Sequence, residues 1–484
     1  MTERTLDQSA TEIAQQIRRG ELTSRACLDT HIAQIARVNP KLNAVVCERF
    51  ELARAEADFI DRMLATKGPG YRLESALLGV PCTIKEAFAV QGMPNCSGLV
   101  SRRTHVSQSD ATAVARLREA GVVIMGVTNT SELCMWLESD NRVYGRTNNA
   151  FDLTRTCGGS SGGEGAIVGA GASPFGLGSD IGGSIRIPAF FNGVYGHKPS
   201  GGRVPGTGQF PMAHGSARRM LSTGPLARRA QDLALLLEIL EGPDGTDDAC
   251  VEMPKRKPSD IQQADLQVFV VDEACPVRAS DSLRGAQRLA ADSLASMGAQ
   301  VQSLALPELR HALEMWSAAM HAAGGESFAS LLGQGTPVSA LGELVKLARG
   351  RSEHTFPALG LALLEKIPEL FPKQIAKSLA ALEALRVKLT QLLGDRGVLL
   401  MPPYARTAPP HQRALLRPIE YGFTAVINAL EFPATSVPMG LDSEGLPLGV
   451  QVIGGWQMDH LTIACAQWLE ADGQRWTAPA WTRS

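Results

Sequence analysis

CGGSSGGEGAIVGAGASPFGLGSDIGGSIRIPAFFNGVYGH, residues 157–197, sets two serines in two separate glycine-rich turns, Gly158-Gly159-Ser160-Ser161-Gly162-Gly163 and Ile181-Gly182-Gly183-Ser184. Glycine admits φ > 0 and lets backbone N–H groups come close to another molecule. A serine in such a turn can present its hydroxyl while neighbouring N–H groups face the same atom. Acyl transfer asks for this combination of nucleophile and oxyanion hole. Serine also needs a base, and the nearest candidate upstream is Lys85, which ends the apolar, β-branched run 78–84. An amine desolvated among apolar neighbours loses affinity for its proton and can then accept one. Adjacent strand residues point to opposite faces, so Glu86 need not be its partner. A surface lysine at the start of a loop fits the same spacing equally well.

Other chemistries fit this stretch less well. A phosphate-binding P-loop needs Lys and then Ser or Thr after its second glycine, and neither Gly163 nor Gly165 is followed by that pair. The run 176–182 misses the dinucleotide GxGxxG spacing by one residue. A Ser–His–Asp triad would draw on His197, 13 residues past Ser184, and Asp180, four before it. His197 reads instead as a structural residue in a turn after an apolar stretch. Close packing of turns is a further reason for glycine to cluster.

Outward from the core stretch, the chain alternates helix and strand. An apolar strand at 121–127 follows a helix at 111–120, a βαβ unit with 78–84 that implies a parallel or mixed sheet clad by helices. A short helical turn spans 131–137. Helices are expected through 8–66, the second stopping before Pro40, and a polar connection fills 67–77. Downstream, a helix at 230–240 precedes the polar run 243–248, the best candidate for an internal linker. Strands at 266–271 and 300–304 flank a helix at 282–297 and should join the same sheet. An amphipathic helix over 375–393, a strand at 398–401, a hairpin-like pair at 434–439 and 448–453 and a helix at 459–469 complete the pattern. Residues 307–371 depart from it. There Leu309, Leu313, Trp316 and Met320 share one helical face, and Phe356, Leu359, Leu361 and Leu363 form a second apolar patch; a buried core face is the plainer reading, and the wall of an acyl channel the sharper one.

Composition narrows the partners. At 484 residues with 44% hydrophobic content, the chain can bury a large core. A formal charge of −2, from 47 basic and 49 acidic residues, gives no global field to draw nucleic acid or an anionic membrane. Nine cysteines, without a CxxC pair or ligand-like histidine spacing, point to reduced thiols in the cytoplasm rather than disulfides or zinc. No motif asks for a metal or an organic cofactor. Residues 1–20 have no apolar core for a signal peptide or anchor, and the most apolar window, 166–178, is too short and broken to cross a bilayer.

Lys85, GGSSGG at 158–163 and SDIGGSIRIP at 179–188, in that order and with 75 and 24 residues between Lys85, Ser160 and Ser184, resemble the three parts of the amidase signature family. KEAFAVQGMPNCSGL, TNTSELCMWLESDNRVYGRTNN, RIPAFFNGVYGHKPS, FPALGLALLE and GLPLGVQVIGG extend the likeness toward the fatty-acid amide hydrolases of that family, especially their second type. The resemblance implies an α/β amidase signature fold: a large mixed, twisted sheet covered by helices on both faces. It would comprise an N-terminal helical segment, 1–77, packed on one compact unit, 78–484, with a variable insertion at about 307–371. It implies a hydrolase acting on carboxylic amides with a Ser–Ser–Lys triad. Ser184 would be the nucleophile, Lys85 the neutral base, and Ser160 the bridge between them from a cis peptide. Ile181, Gly182, Gly183 and Ser184 would supply oxyanion donors, while Ser161, Asp180 and Arg186 would brace the loops. By the same analogy Cys134 and Met135, with Trp316 and Met320 of the insertion, would wall an apolar substrate channel. The expected partner is a small-molecule amide, with no nucleic acid and no integral membrane segment, and the resemblance allows a homodimer. Two other readings stay open: a glutaminase subunit of an amidotransferase, and a binding protein on the same scaffold. Intact Lys85, Ser160 and Ser184 weigh against the second.

Overall fold

The computed structural model describes residues 2–67, 75–271 and 277–483, so most of the connection expected at 67–77 lies outside the described residues. The strands, in chain order, are β1 Val45–Glu48, β2 Pro81–Lys85, β3 Val123–Thr128, β4 Asp140–Asn141, β5 Gly145–Arg146, β6 Phe175–Asp180 and β7 Tyr195–Lys198. They continue with β8 Ser222–Ala227, β9 Gln267–Val271, β10 Gln300–Leu304, β11 Gly397–Met401, β12 Ala434–Leu441 and β13 Pro447–Gly454. Apart from the β4–β5 ribbon they form one sheet of eleven strands, in the order β1-β3-β2-β6-β8-β7-β12-β13-β11-β9-β10. The sheet is mixed. β3, β2 and β6 run parallel, as do β11, β9 and β10, whereas the pairings from β6 through β8, β7, β12 and β13 to β11 are antiparallel.

Strand alternation sorts side chains to two faces. Cys82, Ile84, Ile124, Val268, Val398, Leu400 and Val452 enter one core with the helices Ala10–Arg19, Thr112–Glu119, Gln231–Leu240, Asp281–Ser296 and Asp459–Ala471. The alternate residues face the other way, into two separate cores. Val123 and Met125 pack with the helices Ser24–Leu42, Phe50–Lys67 and Gly162–Gly169. Phe269, Leu399, Met401 and Ile453 pack with Ala312–Ala322, Pro372–Leu393 and Gly422–Ala429. Among the described residues no helix is long and apolar enough to cross a membrane.

Several sequence expectations need correction. The second helix runs through Pro40 to Leu42, because proline sits in the last turn and removes only one hydrogen bond there, and Asn43 then closes the helix in the left-handed region. β1, four residues in a stretch expected to be helical, joins the sheet edge antiparallel to β3. His197 lies in a central strand, β7, not in a turn. The run 243–248 is no free linker: Thr112 Oγ1 donates to Asp244 (2.6 Å) and Gly206 N to Asp247 (2.8 Å), clipping it to the body. In the insertion, the helix Ala312–Ala322 buries Ala312, Met315, Ala318 and Ala319, leaving Trp316 and Met320 at the border of that core. Leu359 is buried with Phe328 and Leu332 in a small core of the insertion, whereas Phe356 and Leu363 stand exposed.

Candidate active site

Lys85 ends β2 on the face opposite Cys82 and Ile84, and it is fully buried. Its Nζ donates to Ser160 Oγ at 2.7 Å and to Ser179 Oγ at 3.0 Å. Ser160 stands just before the helix Gly162–Gly169, after a Gly159–Ser160 peptide that is cis. Ser184 is 4% exposed and Ser160 1%, and the Ser184 carbonyl accepts from Ser161 N at 3.1 Å, which ties the two glycine turns together. Glycine is required at both turns. A Cβ on Gly159 would lie 2.5 Å from the Trp136 carbonyl oxygen, and one on Gly182 would lie 2.0 Å from Tyr421 Oη.

Burial lowers the proton affinity of Lys85, and the Cys134 thiol, Asp180 and Glu164 pull it part of the way back. The lysine is thereby suited to a base. Glu86 is not its partner: its carboxylate accepts from Cys96 N and Ser97 N, both at 2.7 Å, and from the Tyr144 hydroxyl at 2.9 Å.

Asp180, at the end of β6, organises the second turn. It accepts from Gly183 N (2.7 Å), Ile185 N (3.1 Å), and Arg186 Nε and an Nη (both 3.0 Å). Burial acts to raise its pKa, but the charge and hydrogen bonds of Arg186 prevail and hold the carboxyl well below the usual range. Of the expected oxyanion donors, Gly183 N–H donates to Asp180 in this structure. Among the described residues the N–H groups of Ile181, Gly182 and Ser184 have no internal partner. Ser161 braces as expected, donating to the Ser179 carbonyl (3.2 Å) and accepting from Ser179 N (3.3 Å). His197 does not serve the site: Nδ1 lies 2.9 Å from Thr435 Oγ1 and Nε2 3.3 Å from Asp459, so both ring nitrogens are occupied.

Of the expected channel residues, Met135, Trp316 and Met320 border the same apolar core as Ile181. Trp316 Nε1 donates to the Ile181 carbonyl at 2.8 Å, so the insertion touches the glycine turn directly. Cys134 lies beside Lys85, with its sulfur 3.3 Å from Thr130 Oγ1. It and Leu133 both take positive φ, 60° and 52°. Such left-handed non-glycine residues cluster at functional sites.

The helix Gly422–Ala429 was not singled out from sequence, yet it backs the whole turn. Thr424 Oγ1 donates to the Gly182 carbonyl (2.7 Å), and Asn428 Nδ2 to the Asp180 carbonyl (2.8 Å). Tyr421, just before it, sets its ring edge-on to Trp316 at 5.4 Å and its hydroxyl against Gly182 and Ser184. Ser179 and Gln209 were also missed; Gln209 Nε2 donates to the Ser179 hydroxyl that receives Lys85 (3.2 Å). Ser179 lies inside the SDIGGS motif and was legible there, whereas nothing local marks Gln209 or Tyr421.

Comparison with known proteins agrees with this geometry. Fatty-acid amide hydrolase 2 of Homo sapiens is 42% identical across 99% of this chain and 91% of its own length. A glutamyl-tRNA(Gln) amidotransferase subunit of Deinococcus deserti is 32% identical across 96% of each chain. The solved structure of 6-aminohexanoate cyclic dimer hydrolase superposes with a TM-score of 0.80 at 27% identity, over 99% of this chain and 98% of that one. Residues 26–463 match the family model Amidase, and the chain accordingly belongs to the amidase family and is an amide-hydrolysing enzyme.

Proposed function

We propose that this enzyme hydrolyses carboxylic amides with hydrophobic acyl or aryl groups, fatty-acid amides among them, through an acyl-Ser184 intermediate. Ser184 attacks the amide carbonyl while its proton passes through the Ser160 hydroxyl to neutral Lys85. The same relay returns that proton to the leaving amine, and water then repeats the sequence to release the acid. Ile181, Gly182 and Ser184 N–H groups stabilise the developing oxyanion, with Gly183 bracing the turn; one such donor is typically worth about 10²–10³ in rate. The observation that carries the reading is the 2.7 Å bond from the buried Lys85 Nζ to Ser160 Oγ, in the glycine turn that Ser161 N ties to the Ser184 carbonyl. The hydrophobic substrate class is supported by Met135, Trp316 and Met320 at the border of the Ile181 core, and by the 42% identity to a fatty-acid amide hydrolase.

The test compares wild type with Ser184→Ala on primary amides of increasing acyl length, an anilide and glutamine. Turnover by wild type with a silent variant, and a preference for long acyl or aryl amides, is the expected result. Equal activity in both proteins would remove Ser184 from the mechanism. Turnover of glutamine alone would favour the glutaminase reading that the 32% identity to a component of an amidotransferase keeps in view.

A further inference from the structure

Glu164 is fully buried in the first turn of the helix Gly162–Gly169, next to the Ser160 turn, and the mechanism above gives it no part. Its carboxyl lies flat on the sheet: a Cβ on Gly176 of β6 would come 1.7 Å from Oε2. Thr83 Oγ1 donates to Oε2 at 2.6 Å and Thr128 Oγ1 to Oε1 at 2.8 Å. These two threonines frame Lys85. Thr83 lies two residues before it in β2, on the same face, and Thr128 is its register partner in β3. A hydroxyl on each carboxyl oxygen, one at the length of an O–H···O⁻ bond, is the solvation an ionised carboxylate needs once water is gone. An apolar side chain would fit such a site more cheaply unless the charge had a use.

The surrounding charges leave one partner for it. The titratable groups that reach Lys85 are Cys134 on the 132–134 turn, Asp180 at the end of β6, and Glu164. Asp180 is already paired with Arg186. Among the described residues Lys85 is the cation that acts on Glu164, and Glu164 adds to the burial that holds the Cys82 thiol far above its ordinary range. Burial pushes the Glu164 carboxyl up to about 8, with the two hydroxyls and Lys85 acting against that rise, so its charge develops in the same range in which the lysine titrates.

We propose that Glu164 is a positioning residue for the base: its buried carboxylate is the counter-charge against which Lys85 holds and releases its proton. With the carboxylate charged, Lys85 holds its proton more firmly; with the carboxyl neutral, it gives that proton up more readily. The inference rests on the reading of Lys85 as the base of the Ser160–Ser184 relay.

The experiment follows the rate at which a fluorophosphonate labels Ser184 as a function of pH, in wild type and in Glu164→Gln. The probe reports activation of the serine without any choice of amide substrate. With the counter-charge gone, Lys85 should lose its proton more readily, and the acidic limb of the labelling rate should move to lower pH by about one unit. A merely structural role would lower the rate at every pH and leave the limb in place. Thr83→Val, which takes one donor from the carboxylate and favours its neutral form, should move the limb the same way by less; if Glu164→Gln fails to fold, this variant decides. Acidic limbs that superimpose on that of a labelled wild type refute the inference. A wild type in which Ser184 is not labelled at any pH overturns the reading of the relay, and the inference with it.

Discussion

Asp180→Asn is the substitution that tests the construction of the site most directly. The side chain keeps its shape and loses its charge. Arg186, with no exposed surface, would then rely on the neutral oxygens of Gln451 (3.1 Å), Thr424 (3.0 Å) and Asn428 (2.5 Å). Breaking a buried ion pair from one side costs about 3–5 kcal/mol. With an unfolding entropy of about 2.1 cal/mol/K per residue, a chain of 484 residues loses about 1 °C of Tm per kcal/mol, so the expected drop is about 3–5 °C by calorimetry at neutral pH. The sign of the pH dependence is fixed by the depressed carboxyl. The pair stabilises above the unfolded aspartate value of about 3.9 and is lost as pH falls through the lower folded value. Wild type and variant should therefore differ by a constant amount above about pH 5 and converge below about pH 4. Activity should suffer more than stability. An amide placed opposite the Gly183 and Ile185 N–H groups supplies one acceptor oxygen where two now serve them, and an oxyanion turn that shifts costs about 10² or more in kcat. A variant with full kcat, or with unchanged Tm across pH, would show that Asp180 does not hold the turn.

Three further outcomes are expected. Lys85→Arg places a guanidinium that keeps its proton where the base stands, so kcat/KM for amide hydrolysis should fall by about 10³ or more; a loss under tenfold would rule out lysine as the base. Gly182→Ala puts a methyl group 2.0 Å from Tyr421 Oη, and kcat should drop by about 10² or more as Tyr421 and the turn are driven apart, with near wild-type turnover counting against that turn as the oxyanion site. His31, buried with Nδ1 2.9 Å from the Cys27 carbonyl, has its pKa pushed down to about 3 by burial and by Arg228. The unfolded chain takes up this proton below about pH 6.5 and the folded one does not, so stability falls there by up to about 1.4 kcal/mol per pH unit, and His31→Gln should show a shallower fall of Tm between about pH 6.5 and about pH 4.

What the sequence revealed followed physical locality. The strands and helices from 266 to 304, and those at 397–401, 434–454 and 459–471, could be read because their periodicity is simple. The two glycine turns and Lys85 were visible because their chemistry lies in side-chain type and spacing. β6 was hidden by its own composition: Gly176 and Gly178 make a poor strand signal, yet one glycine makes room for Glu164 and the other for Ser161. β8, which contains Gly224 and Pro225, was hidden in the same way. The supports that come from distant parts of the chain could not be read. Tyr421, Thr424 and Asn428 lie more than two hundred residues from the turn they hold, and only tertiary packing brings them to it. The commitment of Gly183 N–H to Asp180 likewise depends on loop geometry rather than residue type.

The position of the site follows from how the sheet divides. On the face that carries Lys85 there are two cores instead of one, and Ile181 belongs to the core of Phe269 and Leu399 while Ile185, four residues on, belongs to that of Val123 and Met125. The 181–185 turn, with Ser184 in it, thus crosses the seam between them. Lys85 and Ser179 reach that seam from the C-terminal ends of the parallel strands β2 and β6, and Ser160 reaches it from the start of the helix Gly162–Gly169. Parallel strands gather side chains at their C-terminal ends, where helix N-termini also point. A lysine placed there is desolvated by both cores and faces the positive end of a helix, and both effects work against its proton. The acidic groups around it, Asp180 paired to Arg186 and Glu164 clamped by Thr83 and Thr128, then become the means by which the fold sets how far that effect goes. Under the proposed function this seam would supply the base, and the hydrogen bond from Trp316 Nε1 to the Ile181 carbonyl ties the insertion to the 181–185 turn beside it.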